Sequence, residues 1–154
     1  PAPPLPGGRT AFPSRLLHAL VHAGHVTEDL AAEVTQLQER EGLGVLAALA
    51  WVGVPEDAVA RVLADLWHLP FVDLAAEAPE PGGLALVPHR IARTHRVIPL
   101  RMEGNGILVA TSDPDILAMD EIRSVAGRPV RIAIATRSQI ERLLEVAYVS
   151  GAAR

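Results

Sequence analysis

Along the first half of the chain, apolar residues recur at helical spacing. Leu16, Leu17, Leu20 and Val21 form one such face behind Ser14, a residue type that caps helix starts, and Gly24 ends the run. Thr27 is placed to cap a second helix carrying Leu30, Val34 and Leu37 on one face. Glu28 and Asp29 fall in its first turn, where the helix dipole favours negative charge. Gly42 and Gly44 interrupt the pattern. A third helix is expected over 43–51 and a fourth from Pro55, with Val59, Val62, Leu63 and Leu66 inward.

From residue 69 the period changes. Leu69–Leu74 reads as a short extended segment, and Ala75–Gly83, rich in Ala, Pro and Gly, as an exposed hinge. Pro88 opens a short helix through Thr94. Val97–Met102 and Ile107–Thr111 read as strands joined by the hairpin turn Glu103-Gly-Asn-Gly106. Ser112-Asp-Pro114 starts a helix that Gly127 stops, Val130–Ala135 is a third strand, and Thr136 caps a last helix through Val149. The expected fold is α+β: an N-terminal four-helix subdomain of two helical hairpins, then a small three-stranded sheet with flanking helices. The expected boundaries are a Pro/Gly linker at 1–11, the helical subdomain at 12–74, a hinge at 75–87, the α/β subdomain at 88–149 and a tail at 150–154. A chain opening on a linker is expected to be part of a longer protein.

The helical half also reads as a duplication. Residues 14–34 and 42–63 each run helix, glycine-containing turn, Thr or Pro followed by acidic residues, and helix. One such hairpin is too small to bury its own apolar face, and two stacked units bury both.

The bulk composition narrows the function. Hydrophobic residues make up 49% and charged residues 21%, which is globular. The formal charge of −4 gives little drive toward nucleic acid or an anionic membrane. Every one of the 14 Lys+Arg residues is Arg, so the Lys of a phosphate-binding P-loop is absent. Gly104 and Gly106 join two strands and do not feed a helix. With no Cys there is no thiolate ligand or cysteine nucleophile.

His18, His22 and His25 have a ligand-like spacing on a helix, but no carboxylate or Cys completes a zinc shell, and they read as surface histidines. No G-x-S-x-G elbow is present. Ser112-Asp-Pro-Asp115 is helix-start chemistry, and Arg90, Arg93 and Arg96 read as a solvated helix face. No catalytic residue and no metal site are assigned.

Several segments in order carry a resemblance: the paired hairpins, Leu69-Pro-Phe-Val-Asp-Leu74, Val87-Pro-His-Arg-Ile-Ala-Arg93, Arg96-Val-Ile-Pro-Leu100, Leu108-Val-Ala-Thr-Ser-Asp-Pro114, and a final helix ending at Tyr148. Together these resemble the N-terminal domain of type II secretion and type IV pilus traffic ATPases, the GSPII or MshEN domain. The resemblance implies a non-catalytic docking or regulatory domain ahead of a motor ATPase, cytoplasmic and peripheral to the inner membrane through its partners. Those partners would be the motor's other domains and inner-membrane platform or cytoplasmic ring proteins, with no nucleic acid, no direct membrane insertion and a monomeric isolated domain.

Some members bind cyclic di-GMP through a repeated R-L-G-x-x-L-V-x-x-G-x-I unit closed by a Gln. The resemblance maps that unit onto Arg15, Leu16, Leu20, Val21, Gly24, Val26 and Gln38, with Leu17 in place of the first Gly. Arg suits phosphate or a guanine face, and Gly exposes backbone N–H groups. Gln38 matches at ungapped spacing, whereas the register of Leu30 and Val34 points to a one-residue deletion that displaces it. In the second unit, aligning Leu43-Gly44 puts Gly42 at the Arg position and Leu66 at the Gln position. Losing an Arg–phosphate contact costs about 1.5–3 kcal/mol. The expectation is therefore a degenerate copy with weak or no nucleotide binding and no cofactor, the alternative being a cyclic di-GMP sensor.

Overall fold

The computed structural model describes residues 13–152, and the linker expected at 1–11 lies outside the described residues. The elements in chain order are α1 (Pro13–His22), α2 (Glu28–Glu41), α3 (Val45–Trp51), α4 (Glu56–Leu66), α5 (Pro81–Leu84), α6 (His89–His95), β1 (Val97–Glu103), β2 (Gly106–Thr111), α7 (Ile116–Ala126), β3 (Val130–Ile134) and α8 (Arg137–Ala152). The α+β expectation of four helices followed by a three-stranded sheet with flanking helices is met.

In the helical half, α1 packs on α4 and α2 on α3. Leu16, Leu20, Val34, Leu49 and Leu63 are fully buried between them. The two hairpins turn in the same way. Gly24 and Gly53 are both left-handed, at φ 84° and 87°, a conformation that costs an L side chain strain. Each donates its N–H three residues back, to Val21 and Ala50, and the next residue donates five back, from His25 to Leu20 and from Val54 to Leu49. Thr27 caps α2 as expected, its hydroxyl accepting from Leu30 N–H at 3.1 Å. Helix α1 begins at Pro13, so Ser14 lies inside the helix and not at its cap, because Pro is tolerated in the first turn.

In the sheet, the strand order is β1-β2-β3, with β1 antiparallel to β2 and β2 parallel to β3. Gly104 takes φ 61° at the first central position of the β1–β2 hairpin, where a type II′ turn reserves the site for Gly. Residues 107–111 of β2 are all buried, so helices cover both faces of the central strand. Helix α7 starts at Ile116 and not at Ser112, because Asp115 is its cap, accepting from Leu117 N–H at 2.8 Å. Helix α8 runs past Val149 into the expected tail, to Ala152.

The segment expected as an exposed hinge is exposed at residues 75–78 and 80–82, yet it is tied to the sheet. Register shifts between Pro99 and Arg101, leaving Leu100 without a partner on β2. The Leu100 carbonyl accepts from Glu80 N–H at 2.7 Å, Glu77 pairs with Arg101 at 3.1 Å, and the turn α5 packs on β1. At the other sheet edge, Ile134 N–H donates to the Pro70 carbonyl at 2.8 Å and Val72 N–H to the Ile134 carbonyl at 2.9 Å. The two connecting segments therefore cover both edges of the sheet, which would otherwise offer unpaired backbone groups to another chain. The buried apolar residues of the two halves form one continuous cluster.

Tyr148 ties α8 to the start of α6. Its hydroxyl donates to the Val87 carbonyl at 2.8 Å, and its ring stacks on His89 with centroids 4.7 Å apart. Burial raises its pKa strongly, so it remains a donor throughout the working pH range. Tyr148→Phe keeps the stacking but strands the Val87 carbonyl. Urea unfolding is expected to show a loss of about 1–3 kcal/mol, the cost of an unsatisfied buried acceptor.

Candidate functional site

The residues mapped by resemblance to a nucleotide unit divide into two groups. Leu16, Leu20 and Val26 are 0%, 0% and 5% exposed and belong to the core between the helices. Val21 and Gln38 are half-buried, and Arg15 and Gly24 are exposed. Among the described residues Arg15 makes no ion pair or hydrogen bond. Arg15 sits at the start of α1 and Gly24 just past its end, about 13 Å apart along the helix rise. Gln38 lies in the last turn of α2, where its carbonyl accepts from Gly42 N–H at 2.9 Å. The apolar members of the unit therefore converge in the core, while Arg15 and Gly24 stand at opposite ends of one helix.

The second unit is registered by its turn. The offset that takes Gly24 to Gly53 takes Leu16 to Val45, Leu20 to Leu49 and Val34 to Leu63, all buried. It also takes Arg15 to Gly44, the residue before α3, whereas aligning Leu43-Gly44 puts Gly42 at that position. It takes Gln38 to Trp67, one residue after Leu66. In either register no Arg occupies the position and no Gln closes the unit.

His18 and His22 are exposed on α1 and His25 lies beyond Gly24, and among the described residues no group of three metal-ligating side chains is assembled. Arg90, Arg93 and Arg96 are exposed on and after α6. Arg96 adopts left-handed backbone at φ 52°, and its guanidinium meets Glu141 at 2.9 Å.

A cleft absent from the sequence reading lies between the halves. It encloses about 350 Å³, with Gly44–Ala47 on one wall and Arg96, Ser112, Asp113, Asp115 and Arg137 on the other. The second wall is built where β2 ends, where α7 and α8 begin and where α6 stops. Glu141 is shared by Arg96 and Arg137, the latter at 3.2 Å. Asp113 is exposed as a residue, yet desolvation raises its pKa, Asp115 adds to the rise and Arg137 opposes it. Beside the cleft, a cavity of about 40 Å³ is lined by Leu46, Leu49, Val54 and Val59 against Ala135 and Thr136. Its rim carries Glu56, whose carboxylate accepts from Ser138 N–H at 2.9 Å and Ser138 hydroxyl at 2.7 Å. The Arg96–Glu141 and Glu56–Ser138 pairs join residues far apart in the chain, and no local signal marks them.

The MshEN domain family model matches residues 67–154, more than half of the chain. The chain belongs to the MshEN domain family. The type IV pilus assembly ATPase PilB of Thermus thermophilus is 35% identical over 98 residues, 60% of this chain and 11% of its own length. PilB of Myxococcus xanthus is 26% identical over 87% of this chain and 24% of its own length. The type II secretion system protein E of Xanthomonas campestris is 29% identical over 90% of this chain and 25% of its own length. The MshEN domain here thus spans a quarter or less of each of these three relatives.

Among solved structures, MshE with cdg superposes at a TM-score of 0.75 with 25% identity, covering 85% of this chain and 96% of that one. The N-terminal domain of XpsE superposes at 0.69 in one crystal form, with 25% identity and coverage of 86% and 92%. In a second form it superposes at 0.57, with 24% identity and coverage of 90% and 97%. The α+β fold of this MshEN domain is therefore that of the MshE and XpsE N-terminal domains.

Proposed function

We propose that this MshEN domain is a non-catalytic docking and regulatory module of a type IV pilus or type II secretion motor ATPase. The observation that carries the reading is the overlay on nearly the whole MshE chain, together with the pilus and secretion ATPases among its relatives. The absence of Lys supports assigning nucleotide hydrolysis to another domain of the parent protein. The partners in this reading are the other motor domains and the platform or cytoplasmic ring proteins of the machine, on the cytoplasmic side of the inner membrane. No helix among the described residues is long and apolar enough to cross a membrane.

The same reading takes the chain as a degenerate copy with respect to cyclic di-GMP. Its support is the glycine opposite Arg15 in the second hairpin and the burial of Leu16, Leu20 and Val26, which explains their presence without a ligand. In a titration with cyclic di-GMP followed by heteronuclear NMR, the expected result is no saturable shift over Arg15–Gly24 at micromolar ligand. Saturable shifts there would overturn the non-binding assignment. One observation favours the second reading, a cyclic di-GMP sensor: the neighbour MshE was solved with cdg. On that reading Arg15→Ala abolishes binding, and an unchanged affinity would remove Arg15 from the site.

A further inference from the structure

Among the described residues the most exposed large apolar side chain is Trp51, the last residue of α3, at 76%. Trp67 is buried, so the two Trp of the chain differ sharply in their access to solvent. An indole left in water forgoes the stabilisation that burial gives. Nothing in the fold offsets this, since among the described residues no ring or cation lies against Trp51. Trp51 forms part of a groove of about 310 Å³ between α2 and the end of α3. Leu37 and Val52 make the apolar lining, and Glu33, Gln36 and Arg40 the polar one. The groove shares no residue with the mapped nucleotide unit.

Helix α2 gives this groove its charge. Glu28, Asp29, Glu33, Glu39 and Glu41 are exposed on it, against Arg40 alone. The helix dipole accounts for Glu28 and Asp29 in the first turn and opposes Glu39 and Glu41 in the last. Glu33 stands between, where the dipole has little effect. Arg40 approaches Glu41 at 3.8 Å, whereas Glu33 makes no ion pair or hydrogen bond among the described residues. Helix stability therefore explains only the first-turn carboxylates.

A bare indole beside an unpaired carboxylate suits a guanidinium. The ring face attracts the cation, and the carboxylate accepts its N–H groups. Trp and Arg are also the side chains that most often dominate the energy of a protein interface. A phosphate-bearing ligand would be repelled by the same carboxylates. We infer that the α2–Trp51 groove is the docking surface for an Arg-rich segment of a partner protein. One Arg of that segment stacks on Trp51 and pairs with Glu33, and its other cations lie along α2. The docking reading underlies this assignment, which adds a face and a partner chemistry to it.

The probe is a Trp-free, end-capped peptide of about 15 residues with Arg at i, i+4 spacing among Ala, and a twin carrying Glu in place of each Arg. Each is titrated into the whole chain and followed by heteronuclear NMR. The Arg peptide is expected to give saturable shifts over Glu33–Arg40 and at the Trp51 indole N–H, and the Glu peptide none. Trp51→Ala removes no core contact and should weaken the affinity about tenfold or more. Glu33→Gln should weaken it about threefold to tenfold. Glu145→Gln, an exposed site on α8 outside the groove, removes the same charge and should leave the affinity as it was. Equal weakening by Glu33→Gln and Glu145→Gln would reduce the binding to net charge and overturn the docking surface. Shifts that spare Trp51, an unchanged affinity in Trp51→Ala, or saturable binding of the Glu peptide would overturn it too. Self-association of the chain that disappears in Trp51→Ala would place a second copy on this face and overturn the assignment to a partner. These outcomes bear on the face alone; the docking reading falls separately, if the parent protein without this domain still drives its machine.

Discussion

Leu63→Ala is expected to lower the unfolding free energy by about 2–5 kcal/mol, the range for deleting a buried leucine side chain and leaving its cavity. Leu63 is fully buried on α4, the helix that packs against α1 on one side and β3 on the other. The vacated space therefore loosens the hairpin pair and the seam together. Far-UV circular dichroism and intrinsic fluorescence in urea should shift to the same lower midpoint in a single transition, because the buried residues of both halves form one cluster. Separate transitions for the two signals would mean that the halves unfold independently. Trp51→Ala is the control: it removes a larger side chain, but one that is 76% exposed, and should change stability by about 0.5 kcal/mol or less.

Gly83→Ala and Gly82→Ala should move stability in opposite directions. By helix propensity alone, Ala in the turn Pro81–Leu84 would be favoured over Gly by about 1 kcal/mol at either position. At Gly83, however, a Cβ would stand 3.0 Å from Arg101 N and 3.2 Å from both Arg101 Cα and the Leu100 carbonyl carbon. These are backbone atoms of the bulged β1 strand and cannot rotate away. Overpacking of this kind costs about 1–3 kcal/mol, so the clash outweighs propensity and the melting temperature falls. At Gly82 the nearest contact is the Met102 side chain at 3.8 Å, an ordinary distance, and the melting temperature should hold or rise. A rise for Gly83→Ala would show that the turn is not seated on β1 as described.

The fold was legible wherever a local rule decides the backbone. The caps Thr27 and Asp115 are side chains acting within three residues of themselves. Gly104 and Asn105 make a tight hairpin because Gly accepts φ 61°, and β2 reads as a strand from its unbroken run of apolar residues. The start of α7 is ambiguous in the sequence because Ser112 and Asp115 are both capping types, and only the course of the chain after β2 chooses Asp115. Of the candidate unit, sequence pattern placed Leu16 and Leu20 on an apolar helix face, and both are buried. It could not distinguish residues that line a ligand from residues that fill a core, since both need the same side chains at the same spacing.

The amino-acid sequence by itself determined the order of helices and strands apart from the short α5, the paired hairpins with their glycine turns, the lack of a P-loop Lys and the membership expected for the chain. Each of these follows from periodicity, turn residues or residue types that are simply missing. Tertiary structure alone decided the register of the two hairpins against each other, the sealing of both sheet edges by the connecting segments, the cleft and the Glu56–Ser138 tie. Those features depend on bonds such as Glu80 N–H to the Leu100 carbonyl and Ser138 to Glu56. A backbone carbonyl freed by a bulge, or a carboxylate reaching a helix start in the other half, has no signature in the residues beside it. It exists only once packing has brought the two segments together.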